Sequence, residues 1–404
     1  MAYGDLADRR KRVRVGQFET IQEDLTMSKK VKIAVVGAGI MGKAHIKDIA
    51  TLENTELAAV CDVDHAIADA CAAEMHVPAY YDFDDLLKHQ TFDAILVNTP
   101  HYDHTPISIA ALQKGIHVLV EKPIAVHVND ARKMIAAYEQ AKQTFPNLVF
   151  AAMFMQRTYG YWRKIKALID GDELGRLVRT TWLITDWFRT QSYYNNGGWR
   201  ATWKGEGGGV LLNQCPHNLD LYQWFVGMPK RITGFAGLGK YHRIEVEDEV
   251  TAYFEHENGM IGHFITTTAE SPGTNRLEIV GEQGKLVYEN GKLTFFHNQH
   301  SMFDQIENAP GGFDKVAFVQ EDVSFDAHDS PGHRNVIENF ANAILHGEKL
   351  IAPASEGINS VMLANTILMS SFEGRAVSLP LDADAYEQKL QSLIHQSALA
   401  KSEP

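Results

Sequence analysis

The stretch that most limits what this chain can become is VKIAVVGAGIMGKAHIKDIATL, residues 31–52. Six β-favouring apolar residues run straight into Gly37-Ala38-Gly39-Ile40-Met41-Gly42, and a helix-compatible segment follows without a break. Strand, glycine turn and helix in that order make the opening of a nucleotide-binding βαβ unit. There the first glycine makes the tight turn, the second lets the backbone approach a pyrophosphate, and the third lets the helix pack on the strand. Gly37, Gly39 and Gly42 fill those places. The free N–H groups and partial positive charge at the helix start attract the phosphates, with Ile40 and Met41 beside them in the turn.

A second apolar run, ELAAVC at 56–61, ends on Asp62. An acidic side chain about 20 residues beyond the glycines accepts hydrogen bonds from the adenosine ribose and repels a 2′-phosphate. No Arg follows Asp62 directly, so NAD is expected in preference to NADP. Three further strand-like runs, DAILVNTP (93–100), HVLVEKP (117–123) and LVFAAM (148–153), are separated by helical stretches at 103–115 and 128–143. This alternation predicts a parallel sheet with helices on both faces. Open α/β sheets bind ligands at the carboxyl ends of their strands. Asn98, Thr99, Pro100, Glu121 and Lys122 are therefore expected at the cofactor, with His104 just beyond them.

After residue 153 the rhythm changes. Helical YGYWRKIKALIDGDELG leads to LVRTTWLITDWF and then to β-rich runs joined at Asn258-Gly259 and Asn290-Gly291, dipeptides that favour hairpins. The fold class read from this is an α/β Rossmann domain followed by an α+β domain with a large, mainly antiparallel open sheet. One face of that sheet is expected under helices and the other against a second subunit, giving a homodimer or homotetramer. HRNVIENFANAILHG and GINSVMLANTILMSSFEG are expected to close the second domain. The division is then an extension without fixed structure (1–28), an NAD-binding domain (29–152), a substrate-binding and oligomerisation domain (153–381) and a helical tail (382–404).

Composition restricts the partners. A net charge of −13 gives nucleic acid no basic footprint, despite RRKRVRV at 9–15. No apolar run approaches the roughly 18 residues of a membrane span, and the first 26 residues lack the apolar stretch of a signal peptide, so a cytoplasmic protein without membrane contact is expected. MSKKVKIAVVGAG from Met27 reads like a protein start. Cys61, Cys71 and Cys215 form no disulfide framework, and the histidines show no metal-ligand spacing, so no metal is expected.

The glycine turn, Asp62, NTP (98–100), EKP (121–123) and GGGVLLNQCPH (207–217) together resemble the Gfo/Idh/MocA oxidoreductases, the group that contains inositol dehydrogenases and glucose–fructose oxidoreductase. The resemblance runs from about residue 30 to 381. It implies NAD(P)-dependent oxidation or reduction at a hydroxyl-bearing carbon of a sugar, cyclitol or sugar derivative. It also implies a catalytic set made of the EKP lysine, here Lys122, with an Asp and a His four residues apart on the helix after the glycines. His217 matches the histidine, but Asn213 stands at the acidic position. An amide takes no proton at neutral pH. Acid–base work is expected to fall on Lys122 and His217, with the proton acceptor undecided between them, and Asn213 to orient a substrate hydroxyl or hold Lys122.

Candidate substrate contacts are Arg157, after the last strand of the first domain, and Asp186, Trp199 and Arg200 in TDWFRTQSYYNNGGWRATWKGE (185–206). Aromatic faces and charged groups suit sugar rings and hydroxyls, although the same residues serve cores and interfaces as often. Two alternatives stand beside a dehydrogenase. One is a glycosidase that oxidises its sugar transiently on bound NAD; the other is a non-catalytic NAD-binding sensor, against which the retention of Lys122 and His217 speaks.

Overall fold

The computed structural model describes residues 30–89, 91–196, 198–326 and 332–397, so the 1–28 extension lies outside the described residues. Strands β1 (Val31–Val36), β2 (Thr55–Cys61), β3 (Ala79–Tyr80), β4 (Ala94–Val97), β5 (His117–Val120) and β6 (Phe150–Ala152) form a sheet in the order β3-β2-β1-β4-β5-β6. Its described pairs are all parallel. The strands are almost wholly apolar because helices cover both faces; every residue of β4 is buried. Strand order reverses between β1 and β4, which opens a crevice at their carboxyl ends.

The second sheet contains β7 (Leu177–Ile184), β8 (Arg231–Leu238), β9 (Glu247–Glu255), β10 (Ile261–Thr267), β11 (Asn275–Gly281), β12 (Gly284–Glu289), β13 (Lys292–Asn298), β14 (Phe318–Asp322) and β15 (Val377–Ser378). Its order is β14-β13-β12-β11-β7-β10-β9-β8-β15. It is mixed: β7 runs parallel to β10, and the other pairs are antiparallel. Asn290 and Gly291 have φ of 52° and 76°, the two positive values that a tight β12–β13 hairpin turn requires. Trp162, Tyr222 and Phe225, from the helices Gly160–Asp170 and Pro216–Val226, pack on one face against Trp182, Phe254 and Phe264.

The two helices expected to close the second domain part company. Gly357–Glu373 packs on β8 and on Pro216–Val226. His333–His346 lies instead on the first sheet and on the helix Ile40–Thr51, where Val336, Ile337 and Phe340 join the core with Val31 and Ile33. Amphipathic spacing shows that a helix buries one face; it does not say against which neighbour. In the tail, Ala383–Gln396 is capped by Asp382 and packs Tyr386 and Leu390 into the core. No described helix is long and apolar enough to cross a membrane.

Candidate active site

Gly37 takes φ +92°, and a Cβ on Gly42 would lie 2.1 Å from the Gly37 carbonyl oxygen, so helix and strand meet at a distance only glycine permits. Nothing lies within 4 Å of a Cβ placed on Gly39. Ile40 and Met41 are 83% and 39% exposed, and the helix they open has neither a side-chain cap nor an acidic residue in its first turn. This leaves an open, N–H-rich cradle. Asp62 stands beside it, its two carboxyl oxygens accepting from Ala38 N at 2.7 Å and Asp64 N at 2.9 Å. At the other wall Asn98 donates to Gly37 O at 3.1 Å. The next residue, Thr99, ahead of Pro100, has a buried hydroxyl with no hydrogen-bond partner among the described residues. A dinucleotide fits these residues: phosphates at the glycine turn, ribose hydroxyls at Asp62.

Two residues expected at the cofactor are engaged elsewhere. Both ring nitrogens of His104 meet backbone carbonyls, Pro123 O at 2.8 Å and Thr99 O at 2.9 Å, so the ring braces the wall of the cradle. Glu121 Oε1 meets His45 Nε2 at 2.7 Å, and Oε2 accepts from Lys122 N at 3.0 Å. Burial alone would raise the Glu121 carboxyl, but the His45 hydrogen bond and charge, aided by Lys122, bring it down to about 2. Glu121 thus fixes the backbone from which Lys122 projects. The Lys122–Pro123 peptide bond is cis.

The glycine-rich stretch lies flat against β9. A Cβ on Gly209 would sit 2.0 Å from Glu247 O, and that same oxygen accepts from Val210 N at 2.9 Å. Residues 210–215 form turns, and the helix begins at Pro216, whose missing N–H suits a first helical position. Asn213 is therefore not on the helix that carries His217, and helical spacing does not relate the two. Its backbone oxygen accepts from Lys122 Nζ at 2.8 Å. Its side-chain oxygen accepts from the Tyr193 hydroxyl at 3.2 Å and from Gln214 Nε2 at 3.1 Å, while its Nδ2 donates to Glu206 Oε1.

His217 is 4% exposed and its Nδ1 has no hydrogen-bond partner among the described residues. Burial, then the charge of Lys122, pushes its imidazole well below the ordinary range. Lys122 is itself lowered by burial, against which Glu121 and Glu206 act, while Arg200 adds to the lowering. His217 thus senses the charge of Lys122. Arg200 lies over the rings of Trp199 at 4.8 Å and Tyr193 at 5.2 Å, and Trp199 stands edge-on to His101 at 5.2 Å. Trp199 and Arg200 therefore join the Lys122 group through Tyr193. Asp186 is exposed and takes a hydrogen bond from Asn275, where β7 and β11 meet.

Arg157, expected at the substrate, is occupied by an ion-pair network. It is 2% exposed; Nε and Nη2 donate to the two oxygens of Asp220, each at 2.7 Å, and Nη1 donates to Glu356 at 2.6 Å and to Ile351 O at 3.2 Å. A guanidinium so occupied ties two helices together. Glu206 and Tyr193 were missed in the sequence; the one available signal was an acid placed directly before three glycines. Among the described residues, no group of three or more His, Cys, Asp or Glu side chains is placed to hold a metal ion.

Residues 31–147 match the Gfo/Idh/MocA oxidoreductase family model, described as an NAD-binding Rossmann fold, and residues 162–287 match the Gfo/Idh/MocA C-terminal domain. The chain is 34% identical over 154 residues to inositol 2-dehydrogenase 1 of Paenarthrobacter aurescens (strain TC1), covering 38% of this chain and 44% of that one. It is 24% identical over 292 residues to the scyllo-inositol 2-dehydrogenase (NAD(+)) of Bacillus subtilis (strain 168), covering 69% of this chain and 81% of the relative. Among solved structures, the WlbA dehydrogenase of Bordetella pertussis in complex with NADH and UDP-GlcNAcA superposes with a TM-score of 0.74 at 25% identity, over 88% of this chain and 100% of that one.

Proposed function

The chain belongs to the Gfo/Idh/MocA oxidoreductase family, and from that membership we propose that it is an NAD-dependent dehydrogenase acting on a carbon-bound hydroxyl of a sugar, cyclitol or sugar derivative. The observation that carries this reading is the placement of Lys122, at the carboxyl edge of the parallel sheet, within the electrostatic reach of a buried His217 whose Nδ1 has no partner among the described residues. The names of the relatives, inositol 2-dehydrogenases among them, support the substrate class. NAD, when bound, supplies the hydride acceptor.

Oxidising a CH–OH group requires a base for the hydroxyl proton and a neighbour that stabilises the oxygen as charge develops. Burial lowers the Lys122 amine toward the range where it works as a base. His217, pushed well below its ordinary range, stays neutral and offers Nδ1 to the substrate oxygen. Tyr193, Trp199 and Arg200 supply aromatic faces and a cation for the ring. A panel of monosaccharides, cyclitols and glycosides, followed by NADH absorbance, tests the assignment. Glycoside cleavage with no net NADH would replace it by a transient-oxidation glycosidase, and NAD binding without turnover of any panel member by a sensor.

Asp62 decides the cofactor within this reading. A ribose diol gains hydrogen bonds from its carboxylate, whereas a 2′-phosphate meets like charge. Asp62→Ala should weaken NAD binding far more than NADP binding in a fluorescence titration; equal affinities of the unmodified protein for the two would contradict the assignment. The uncovered face of the second sheet, on which Phe235 is 66% exposed, receives a second copy of the chain. Light scattering should report a dimer or tetramer rather than a monomer.

A further inference from the structure

Glu206 is 1% exposed. Its Oε2 accepts from Ala201 N at 2.6 Å, its Oε1 accepts from Asn213 Nδ2, and its backbone oxygen meets His101 Nδ1 at 3.1 Å. Residue 213 is thereby held at both ends. Glu206 and Tyr193 fix its side chain, and its backbone oxygen holds Lys122 Nζ at 2.8 Å. Any rotation of residue 213 moves the acceptor on which the lysine rests. We propose that Glu206 is the positioning carboxylate of this site, aiming Lys122 through Asn213. Its negative charge also favours the protonated form of the lysine. The role rests on the reading that Lys122 acts on the substrate hydroxyl. The acid absent from residue 213 is thus supplied from the loop before the glycines.

The charged and titratable neighbours of Lys122 leave Glu206 this task. Glu121 also raises the lysine, but its oxygens are engaged with His45 and with the Lys122 backbone N–H, so aiming the amine through Asn213 is left to Glu206. Arg200 acts in the opposite sense, lowering the lysine. Burial pushes the Cys215 thiol up to about 12, which keeps it neutral. Burial also lowers His101, His217 and His333, so these rings add no positive charge at neutral pH. In a poorly solvated site a carboxylate acts on a nearby ammonium more strongly than it does in water.

The test is the pH profile of kcat, with NAD affinity measured by fluorescence titration on the same proteins. Glu206→Gln should move the limb that belongs to Lys122 to lower pH by about one unit, the usual effect of removing one close opposite charge, and leave NAD affinity unchanged. Adding Asn213→Asp to Glu206→Gln restores a carboxylate beside Lys122 and should move the limb back up. A limb that stays at its wild-type position in Glu206→Gln overturns the proposal, as does a double variant that keeps the shifted limb. If Glu206→Gln does not fold, Glu206→Asp, which withdraws the charge by one methylene, should shift the limb the same way by less; an unmoved limb there overturns the proposal equally. Lys122→Met separates the two levels of the argument. If that variant keeps its turnover, the role of Lys122 falls and takes this one with it; if it is inactive while the Glu206 variants keep a wild-type profile, only the role of Glu206 falls.

Discussion

Lys122→Met should lose about 100-fold or more in kcat, the usual contribution of a positioned acid–base group, while binding NAD as the unmodified protein does. The lysine amine rests on the backbone oxygen of Asn213, whereas the phosphates and ribose are assigned to the glycine turn and Asp62, so its removal should leave those contacts in place. Methionine keeps the length of the side chain and removes only the charge and the donors. His217→Ala should behave likewise, since it deletes the Nδ1 that no described residue engages. Retention of more than about a tenth of the rate by either variant, a loss below roughly 1.4 kcal/mol of transition-state stabilisation, would remove that residue from the mechanism. The pH dependence follows with its sign. As a base, Lys122 must be deprotonated, so kcat rises with pH through the lysine's lowered value and then levels off. That rise should sit below the ordinary lysine range, and below the wild-type position in Glu206→Gln.

Much of this site was legible because short sequence stretches determine it. The turn at Gly37, Gly39 and Gly42 requires glycine for local backbone reasons, Asp62 follows its strand directly, and EKP ends another strand at the sheet edge. The links between stretches were not legible. Asn213 and His217 looked like neighbours on one helix, yet Pro216 opens that helix and leaves Asn213 in the preceding turn, where it faces Glu206 and Tyr193. Residues 185–206 show their aromatic content in the sequence, but which of them approach Lys122 depends on packing against β9. His242 illustrates this: its two ring nitrogens meet Asp248 Oδ2 and Arg189 O, each at 2.9 Å, and join that stretch to a strand distant in sequence. The helix His333–His346 is the same case at larger scale, its apolar stripe evident and its partner sheet not.

Arg157 provides the second large effect, on stability. Its side chain and that of Asp220 are 2% and 1% exposed, and the pair is bidentate. Two charges withdrawn from water are tolerable only together; removing one leaves the other buried without its counter-charge, at a cost of about 3–5 kcal/mol. Asp220→Ala should therefore lower the unfolding free energy by that amount in urea denaturation. Glu356→Gln should cost much less, because that carboxylate is 43% exposed and water can take its place on Nη1. The contrast between these variants tests the placement of Arg157. A guanidinium that bound substrate would show itself in KM, with stability little changed, when its partner was removed. One that ties the strand-ending segment Met155–Thr158 to the helix of His217 should instead unfold the protein more readily, leaving KM for the best panel substrate near its wild-type value wherever the variant remains folded. A raised KM at unchanged stability in Asp220→Ala would return Arg157 to the substrate pocket.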